Sequence, residues 1–149
     1  MPKYVVDTNL YIEAITTDGG MTALAAFQRR LAPFLYQHST VAQEILAGAQ
    51  NEGDFERYYE DGIAPFERLG RIYTPSHSSW VDAARIMTRL IESRSKSAGG
   101  FTRSFLNDCL IATSTRENGF ILVTRNTKDF ALINSADAGV NFAPPWPGS

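Results

Sequence analysis

Short apolar runs alternate along the chain with longer segments in which apolar residues recur at helical spacing. The runs are rich in β-branched and aromatic residues, which strands favour. They cover Tyr4 to Asp7, Phe34 to His38, Arg71 to Thr74, Phe120 to Thr124 and, more weakly, Val140 to Phe142. This alternation predicts an α/β domain with a central, mostly parallel sheet of about five strands.

Helices are predicted between these strands. A short one follows Asp7, and longer ones cover Met21 to Leu31, Val41 to Ala49, the segment on which Trp80, Ala84, Met87 and Ile91 recur, and Arg103 to Asn118. Thr40 and Gln43 have the spacing of a capping box, which opens a helix. The stripe from Trp80 to Ile91 indicates a face turned toward the core. Gly119 is typical of a left-handed stop after the last helix.

Composition narrows the class of protein further. A chain of 149 residues, 44% of them hydrophobic, fits a single domain over residues 1–149, with an irregular tail over 143–149. No secretory signal or membrane-spanning stretch is recognisable, and a single cysteine, Cys109, excludes an internal disulfide. We therefore expect a cytoplasmic protein with no membrane partner and with a packed Cys109 thiol. The net charge of −2 provides no general attraction for nucleic acid, so any such contact must be local.

Two carboxylates follow predicted strands. Asp7 ends the first run, where Thr8 and Asn9 behind it are helix-capping types, and Asp129 comes soon after the run that ends at Thr124. Ligands of open parallel sheets bind beyond the carboxyl ends of the strands, which favours a site at both positions. The alternative is a structural cap or turn aspartate in each case.

Two further acids lie on predicted helices. The helical neighbours of Asp108 include Phe105, Ile111 and Ala112, so its carboxylate lies on a largely apolar stripe. Burial there is costly unless a cation or strong donors lie opposite. The alternative is a carboxylate bonded to backbone donors or to Arg103. Glu44, near the start of its helix, also leans toward the interior, although alone it would more often be a surface residue.

Together these four acids predict one acidic pocket at the carboxyl edge of the sheet. Carboxylates that close cannot all ionise without a counter-charge, and an oxygen-rich site without a Cys or His cluster suits Mg²⁺, or alternatively Mn²⁺. His38 and His77 lie in no motif with a catalytic partner, and no nucleophile elbow or phosphate-binding glycine loop is present.

The chain resembles PIN domains, and more narrowly the VapC-type toxins of prokaryotic toxin–antitoxin pairs. The resemblance rests on four segments spread over nearly the whole chain: Val5-Val6-Asp7-Thr8-Asn9, Thr40-Val41-Ala42-Gln43-Glu44-Ile45, Asn107-Asp108-Cys109-Leu110-Ile111-Ala112 and Thr124-Arg125-Asn126-Thr127-Lys128-Asp129-Phe130. It implies a three-layer α/β/α fold and a Mg²⁺-dependent endoribonuclease. It also implies an RNA substrate, a homodimer and a cognate antitoxin whose C-terminal segment lies along the acidic groove.

The resemblance also assigns roles to residues. The catalytic and metal-binding acids fall on Asp7, Glu44, Asp108 and Asp129, and the supporting polar positions on Thr124 and Asn126, to which we add Thr8 and Asn9 beside Asp7. The segment from Asn51 to Gly70 and the basic loop near Lys96 carry no family signature.

Basic residues near these motifs are candidates for substrate contact. Arg125 and Lys128 lie beside Asp129, and we predict that they bind RNA phosphates. Another group borders a small, polar loop that we expect to be mobile: Arg85, Arg89, Lys96 and Arg103. For that group the alternative is an ordinary solvated helix face of mixed charge.

Two rival functions remain. A haloacid-dehalogenase-like phosphatase would use Asp7 as nucleophile, but it needs an acid two residues later, where Asn9 stands. A PIN-like or receiver-like module could also hold a metal ion without turnover.

Overall fold

A computed structural model describes residues 2–148 and has the predicted parallel sheet. Its strands are β1 (Tyr4–Val6), β2 (Leu35–His38), β3 (Ile72–Tyr73), β4 (Ile121–Val123) and β5 (Asn141–Ala143). They are ordered β3-β2-β1-β4-β5, and every neighbouring pair is parallel. The chain therefore moves to one side of β1 first and to the other side later. Between β1 and β4 lies the switch point at which open α/β sheets bind ligands.

Helices cover both faces of this sheet. They are α1 (Thr8–Thr16), α2 (Asp18–Leu31), α3 (Ser39–Ala47), α4 (Glu52–Tyr58), α5 (Ala64–Arg68), α6 (His77–Glu92), α7 (Arg103–Glu117) and α8 (Thr127–Asn134). A 3-10 turn, Ala32–Phe34, precedes β2, and a π-helical turn, Tyr59–Ile63, joins α4 to α5. One layer contains α1 with α2 and α3, and the other contains α7 with α6 and α8. The fold is thus the expected α/β/α arrangement, and no helix in residues 2–148 is both long and apolar enough to cross a membrane.

The core lies between the sheet and the two helix layers. The side chains of Val5, Leu122 and Val123 have no exposed surface, as expected for strands covered on both faces. Cys109 on α7 is equally buried, and burial raises the pKa of its thiol to about 12. The thiol is therefore a packed core group, as its apolar surroundings predict.

The core face of α6 differs from the predicted stripe by one residue. Trp80 is 58% exposed and Ile91 is 39% exposed, so the predicted stripe is wrong. The buried face consists of residues at the same helical spacing, Ser79, Ala83, Ile86 and Leu90. Ser79 is tolerated there because its hydroxyl donates to Glu117 Oε2 at 2.8 Å.

The start of α3 also differs from the prediction, and the difference matters because this helix carries Glu44. The cap is His38, whose Nδ1 accepts from the Thr40 backbone N–H at 2.9 Å, so the helix begins at Ser39 and no capping box forms. Nε2 must then hold the ring hydrogen, which is donated to Ser114 Oγ at 2.6 Å. Burial lowers the pKa of His38 to about 4, which keeps the ring neutral.

The ends of the later elements agree with the sequence in part. Gly119 follows α7 at a φ of +69°, which is the left-handed stop that the sequence predicts. Strand β5 reaches Ala143, one residue into the predicted tail, and 144–148 form no helix or strand. That tail packs on α2, where Arg30 donates to the Pro147 carbonyl at 2.6 Å.

Candidate metal centre

Asp7 occupies the carboxyl end of β1 and caps α1. Its Oδ1 accepts from the Thr8 backbone N–H at 2.8 Å. Its Oδ2 accepts from Thr124 Oγ1 at 2.7 Å and from Asn9 Nδ2 at 3.2 Å. The side chain is buried, and burial raises the carboxyl pKa although the three hydrogen bonds oppose that effect. Asp7 is therefore both cap and buried site residue, so the two interpretations of the sequence are compatible.

Thr124 ties the end of β4 to the end of β1. Val6 pairs with Val123, so the residues that follow them, Asp7 and Thr124, are neighbours across the sheet. The Thr124 hydroxyl accepts from the Asn126 backbone N–H at 2.9 Å and from the Asn9 amide at 3.3 Å. Its own hydrogen is donated to Asp7, and the hydroxyl thus fixes the carboxylate in one orientation.

Asn126 brings the two later acids together. Its Nδ2 donates to Asp108 Oδ2 at 3.0 Å and to Asp129 Oδ2 at 3.1 Å. Asp108 lies on α7 and Asp129 in the first turn of α8, so one amide group connects two helices.

Glu44 enters the site from α3. The Thr8 hydroxyl donates to Glu44 Oε1 at 2.8 Å, and the Asn107 side chain forms a second hydrogen bond to the carboxylate. The pKa of Glu44 is raised, first by partial burial and then by the negative charge of Asp7, while both hydrogen bonds act in the opposite direction.

The strongest electrostatic effect falls on Asp108. Burial raises its pKa, and the charges of Asp7, Glu44 and Asp129 add to the effect, so the pKa reaches about 8 against an ordinary 3.8. The bond from Asn126 lowers it only partly. The other three predicted acids therefore all act on the carboxyl group of Asp108, and the structure places the four acids near one another.

The donor set fits magnesium. Its members are carboxylate, hydroxyl and amide oxygens, which hard cations prefer. Within residues 2–148, no group of three or more Asp, Glu, His or Cys side chains is arranged so that it could hold a metal ion as it stands. Mg²⁺ does not require such a cage, because it keeps several of its waters and uses one or two carboxylates. Asp7 and Asp108 are the most buried of the four acids and are the residues that would hold it.

Comparisons with known proteins support the fold. No family model and no curated protein sequence matches the chain. Among solved structures, DNA-bound VapBC from Salmonella typhimurium superposes with a TM-score of 0.70 at 19% identity, covering 97% of this chain and 98% of that one. FitAcB from Neisseria gonorrhoeae gives 0.66 at 19% identity, with coverage of 97% and 99%. VapBC2 from Rickettsia felis, bound to a DNA fragment from its promoter, gives 0.63 at 22% identity, with coverage of 96% and 98%. The chain has a PIN-like fold.

Within this PIN-like fold, the two predicted phosphate-binding residues differ in their surroundings. The Arg125 guanidinium donates to both carboxylate oxygens of Glu13 on α1, at 2.6 and 2.9 Å. This partly exposed ion pair links the loop after β4 to α1. Lys128 is exposed in the first turn of α8. Their role in substrate binding stays a prediction.

Two residues that contact the site, Asn107 and Glu13, were not predicted from the sequence. Asn107 directly precedes Asp108 and reaches Glu44 across the space between α7 and α3. Glu13 lies one helical turn after Asn9, on the same face of α1. That spacing is the only signal of Glu13 in the sequence, and the partner on a distant loop is not readable from it.

A groove adjoins the acids in the PIN-like domain. Its volume is about 700 Å³, and it is lined by Thr8, Ile12, Gln43, Glu44, Ala47, Gly48, Arg103, Ser104 and Asn107. A larger groove of about 910 Å³ lies between α3 and α4. None of the four acids lines that larger groove, so the smaller one is the candidate path for a substrate.

Proposed function

We propose that the chain is a VapC-type toxin, a Mg²⁺-dependent endoribonuclease that also accepts Mn²⁺. The observation that supports this most is the placement of three carboxylates around Asp108, whose pKa burial and these three charges raise to about 8. Such a group of acids is electrostatically unfavourable at neutral pH unless a cation shares it. Mg²⁺ would supply that cation. A phosphate group of RNA could then bind to the same ion.

The proposed reaction is hydrolysis of a phosphodiester bond by water. Bound at these acids, Mg²⁺ would lower the pKa of a water and stabilise negative charge on the phosphate. Asp7 and Asp108 would be its direct ligands, and Asp129 would support it directly or through water. Glu44 orients the attacking water and accepts its proton, a task favoured by the raised pKa of that carboxyl group.

The supporting residues hold the acids in place before substrate binds. Thr124 and Asn9 orient Asp7, Asn126 orients Asp108 and Asp129, and Thr8 orients Glu44. Residues in such a role commonly change metal affinity or activity by about 10- to 100-fold when they are removed. The polar residues that follow Asp7 and Thr124 therefore belong to the proposed machinery.

The proposed partners follow from the resemblance. The resemblance to VapC-type toxins implies an antitoxin partner, and the matched VapBC structures are consistent with a two-protein complex. We accordingly propose a cognate antitoxin that covers the acidic groove, and a homodimer of the toxin itself. RNA is the proposed substrate.

The phosphatase alternative is less well supported by the geometry. Asn9, two residues after Asp7, donates its amide to Asp7 and to Thr124, so no acid stands where that chemistry needs a proton donor. A metal-binding module without turnover would have the same acids. It would differ from a nuclease only in failing to cleave RNA, so a cleavage assay distinguishes the two.

The test is cleavage of RNA by the purified chain with Mg²⁺, with Mn²⁺ and with a chelator. We expect cleavage only with a divalent ion, and a loss of at least about 100-fold for Asp7→Asn, since even indirect supports cost up to that factor. Asp82→Asn is the matched control, because Asp82 is an exposed acid on α6 whose ion pair is with Arg85. Unchanged cleavage by Asp7→Asn would contradict the proposal. Hydrolysis of small phosphomonoesters without RNA cleavage would favour the phosphatase.

A further inference from the structure

The basic residues around the site differ in whether their charges already have partners. Most of them do: Arg85 with Asp82 at 3.5 Å, Arg89 with the Ala136 carbonyl at 3.1 Å, Lys96 with the Phe105 ring at 4.4 Å, and Arg125 with Glu13 at 2.6 Å. Arg103 and Lys128 are the exceptions. Within residues 2–148, no carboxylate lies at ion-pair distance from either charged group.

Arg103 is also placed differently, because it lines the groove that contains Glu44. It is the only cationic side chain on that groove among the described residues. Arg103 and Asn107 are four residues apart on α7 and therefore share a helix face, separated by about 6 Å along the axis. Asn107 forms a hydrogen bond to Glu44, so Arg103 lies about one helical turn from a residue that contacts an acid of the site.

A phosphodiester that approaches four acids meets repulsion on one side. A cation at the rim of the same groove offsets that repulsion, and the chain as a whole, at net charge −2, does not. Arginine suits this position because its planar fork of donors matches two phosphate oxygens.

The rest of the groove suits a nucleotide. Gln43 and Asn107 offer amide groups, while Ile12, at 49% exposure, and Ala47 offer apolar surface. Polar hydrogen-bonding groups beside apolar surface are what an unpaired nucleobase requires. A volume of about 700 Å³ is within the range of sites that hold small organic ligands.

We propose that Arg103 binds an RNA phosphate next to the scissile one, and that the groove between α3 and α7 holds the attached nucleotide. This inference rests on the proposed function, since it names the substrate contact of the same site. Of the four basic residues that border the loop near Lys96, only Arg103 is proposed to contact a phosphate. Arg85 is proposed to have no such contact.

The experiment measures binding rather than turnover. A fluorescent single-stranded RNA with 2′-O-methyl groups, which resists cleavage, is titrated with the whole chain at several salt concentrations in the presence of Mg²⁺. Four proteins are compared: the unaltered chain, Arg103→Gln, Arg103→Lys and Arg85→Gln. Arg85 is the matched control, because it is a long exposed cation on α6 that does not line the groove.

For Arg103→Gln we expect Kd to rise about tenfold, the loss of one charged hydrogen-bonded contact. The slope of log K against log salt should shrink by about 0.7, the value for one phosphate contact on a single strand. Arg103→Lys should retain part of the affinity, and Arg85→Gln should match the unaltered chain in both quantities. Mg²⁺ affinity, measured without RNA, should be equal in all four proteins, which separates a lost contact from a damaged site.

The inference is overturned if Arg103→Gln keeps the affinity and salt slope of the unaltered chain, or if Arg85→Gln weakens binding equally. It is also overturned if the unaltered chain does not bind the RNA. Failure of the proposed function appears elsewhere, as an absence of divalent-dependent cleavage of unmodified RNA. If the chain cleaves RNA but Arg103→Gln does not weaken RNA binding, the proposed function stands and only the inference about Arg103 is overturned.

Discussion

Asp108 lies on a helix face that is otherwise apolar, and three other acids repel the negative charge of its carboxylate. Burial, together with the charges of Asp7, Glu44 and Asp129, raises its pKa from 3.8 to about 8. The folded chain therefore binds a proton at Asp108 over a pH range in which the unfolded chain has lost it. This residue favours folding below about pH 4, and its contribution is lost progressively as the pH rises through 8.

From this we predict that Asp108→Asn stabilises the metal-free chain at alkaline pH. The amide is neutral and can still accept the hydrogen bond from Asn126, so it removes the charge without creating a cavity. At pH 8 we expect a gain of about 1 kcal/mol or more, which corresponds to a rise in Tm of about 2–4 °C or more. Thermal unfolding of both proteins between pH 5 and pH 9, with a chelator present, measures the difference.

The gain should shrink toward pH 5, where Asp108 of the unaltered chain is protonated as well. Asp137→Asn is the control, because the Asp137 side chain is 87% exposed and its ion pair with Arg89 is long. A gain for Asp108→Asn that is independent of pH, or a loss at pH 8, would show that the pKa of Asp108 is not raised in the folded chain. Added Mg²⁺ should reduce the gap by stabilising only the unaltered chain.

At the scale of elements, α6 shows the limit of a hydrophobic pattern. Two stripes on this helix have the same spacing, one beginning at Ser79 and one at Trp80. The pattern favours the second, because tryptophan is apolar and serine is not. The fold buries the first because Glu117, on α7, accepts a hydrogen bond from the Ser79 hydroxyl. Such a partner lies far away in the sequence and is not visible in a local pattern.

We predict opposite outcomes for two adjacent residues of α6. Leu90 is 1% exposed and Ile91 is 39% exposed. Leu90→Ala should lower the free energy of unfolding by about 2–5 kcal/mol, because it leaves a cavity in the core. Ile91→Ala should cost less than about 1 kcal/mol, since the side chain is largely at the surface.

Urea denaturation of the two variants at pH 7 is the measurement. Equal losses would contradict the core face described for α6, and a larger loss at Ile91 would restore the stripe predicted from the sequence. Because both positions lie in the last turn of the same helix, differences in helix propensity cannot account for a gap of that size.

Short elements explain most of what the sequence did not reveal. Helices α4 and α5 have seven and five residues and are joined by a π-helical turn, so neither is long enough to display a helical period. The cap of α3 was misassigned because an imidazole acceptor at His38 replaces the hydroxyl of an ordinary capping residue. The five strands were recognisable despite their length, since each is a β-branched or aromatic run between helical segments.

At the scale of the whole molecule, the sheet order explains why the site was predictable. A residue that ends β1 and one that follows β4 must meet at the switch point, whatever the lengths of the intervening helices. Asp7 and Thr124 therefore follow from the positions of the strands alone. The bonds that Asn107 and Arg125 form depend on how helices and loops pack over that edge, which no local pattern encodes.

The central claim is that four acids, distant in sequence, form one site for a divalent cation, with Asp7 and Asp108 as its direct ligands. Calorimetric titration of the purified chain with Mg²⁺, and then with Mn²⁺, tests it directly beside Asp7→Asn and Asp108→Asn. We expect saturable uptake by the unaltered chain and a loss of that uptake in each variant. No uptake by the unaltered chain, or uptake that neither substitution changes, would contradict the shared metal centre.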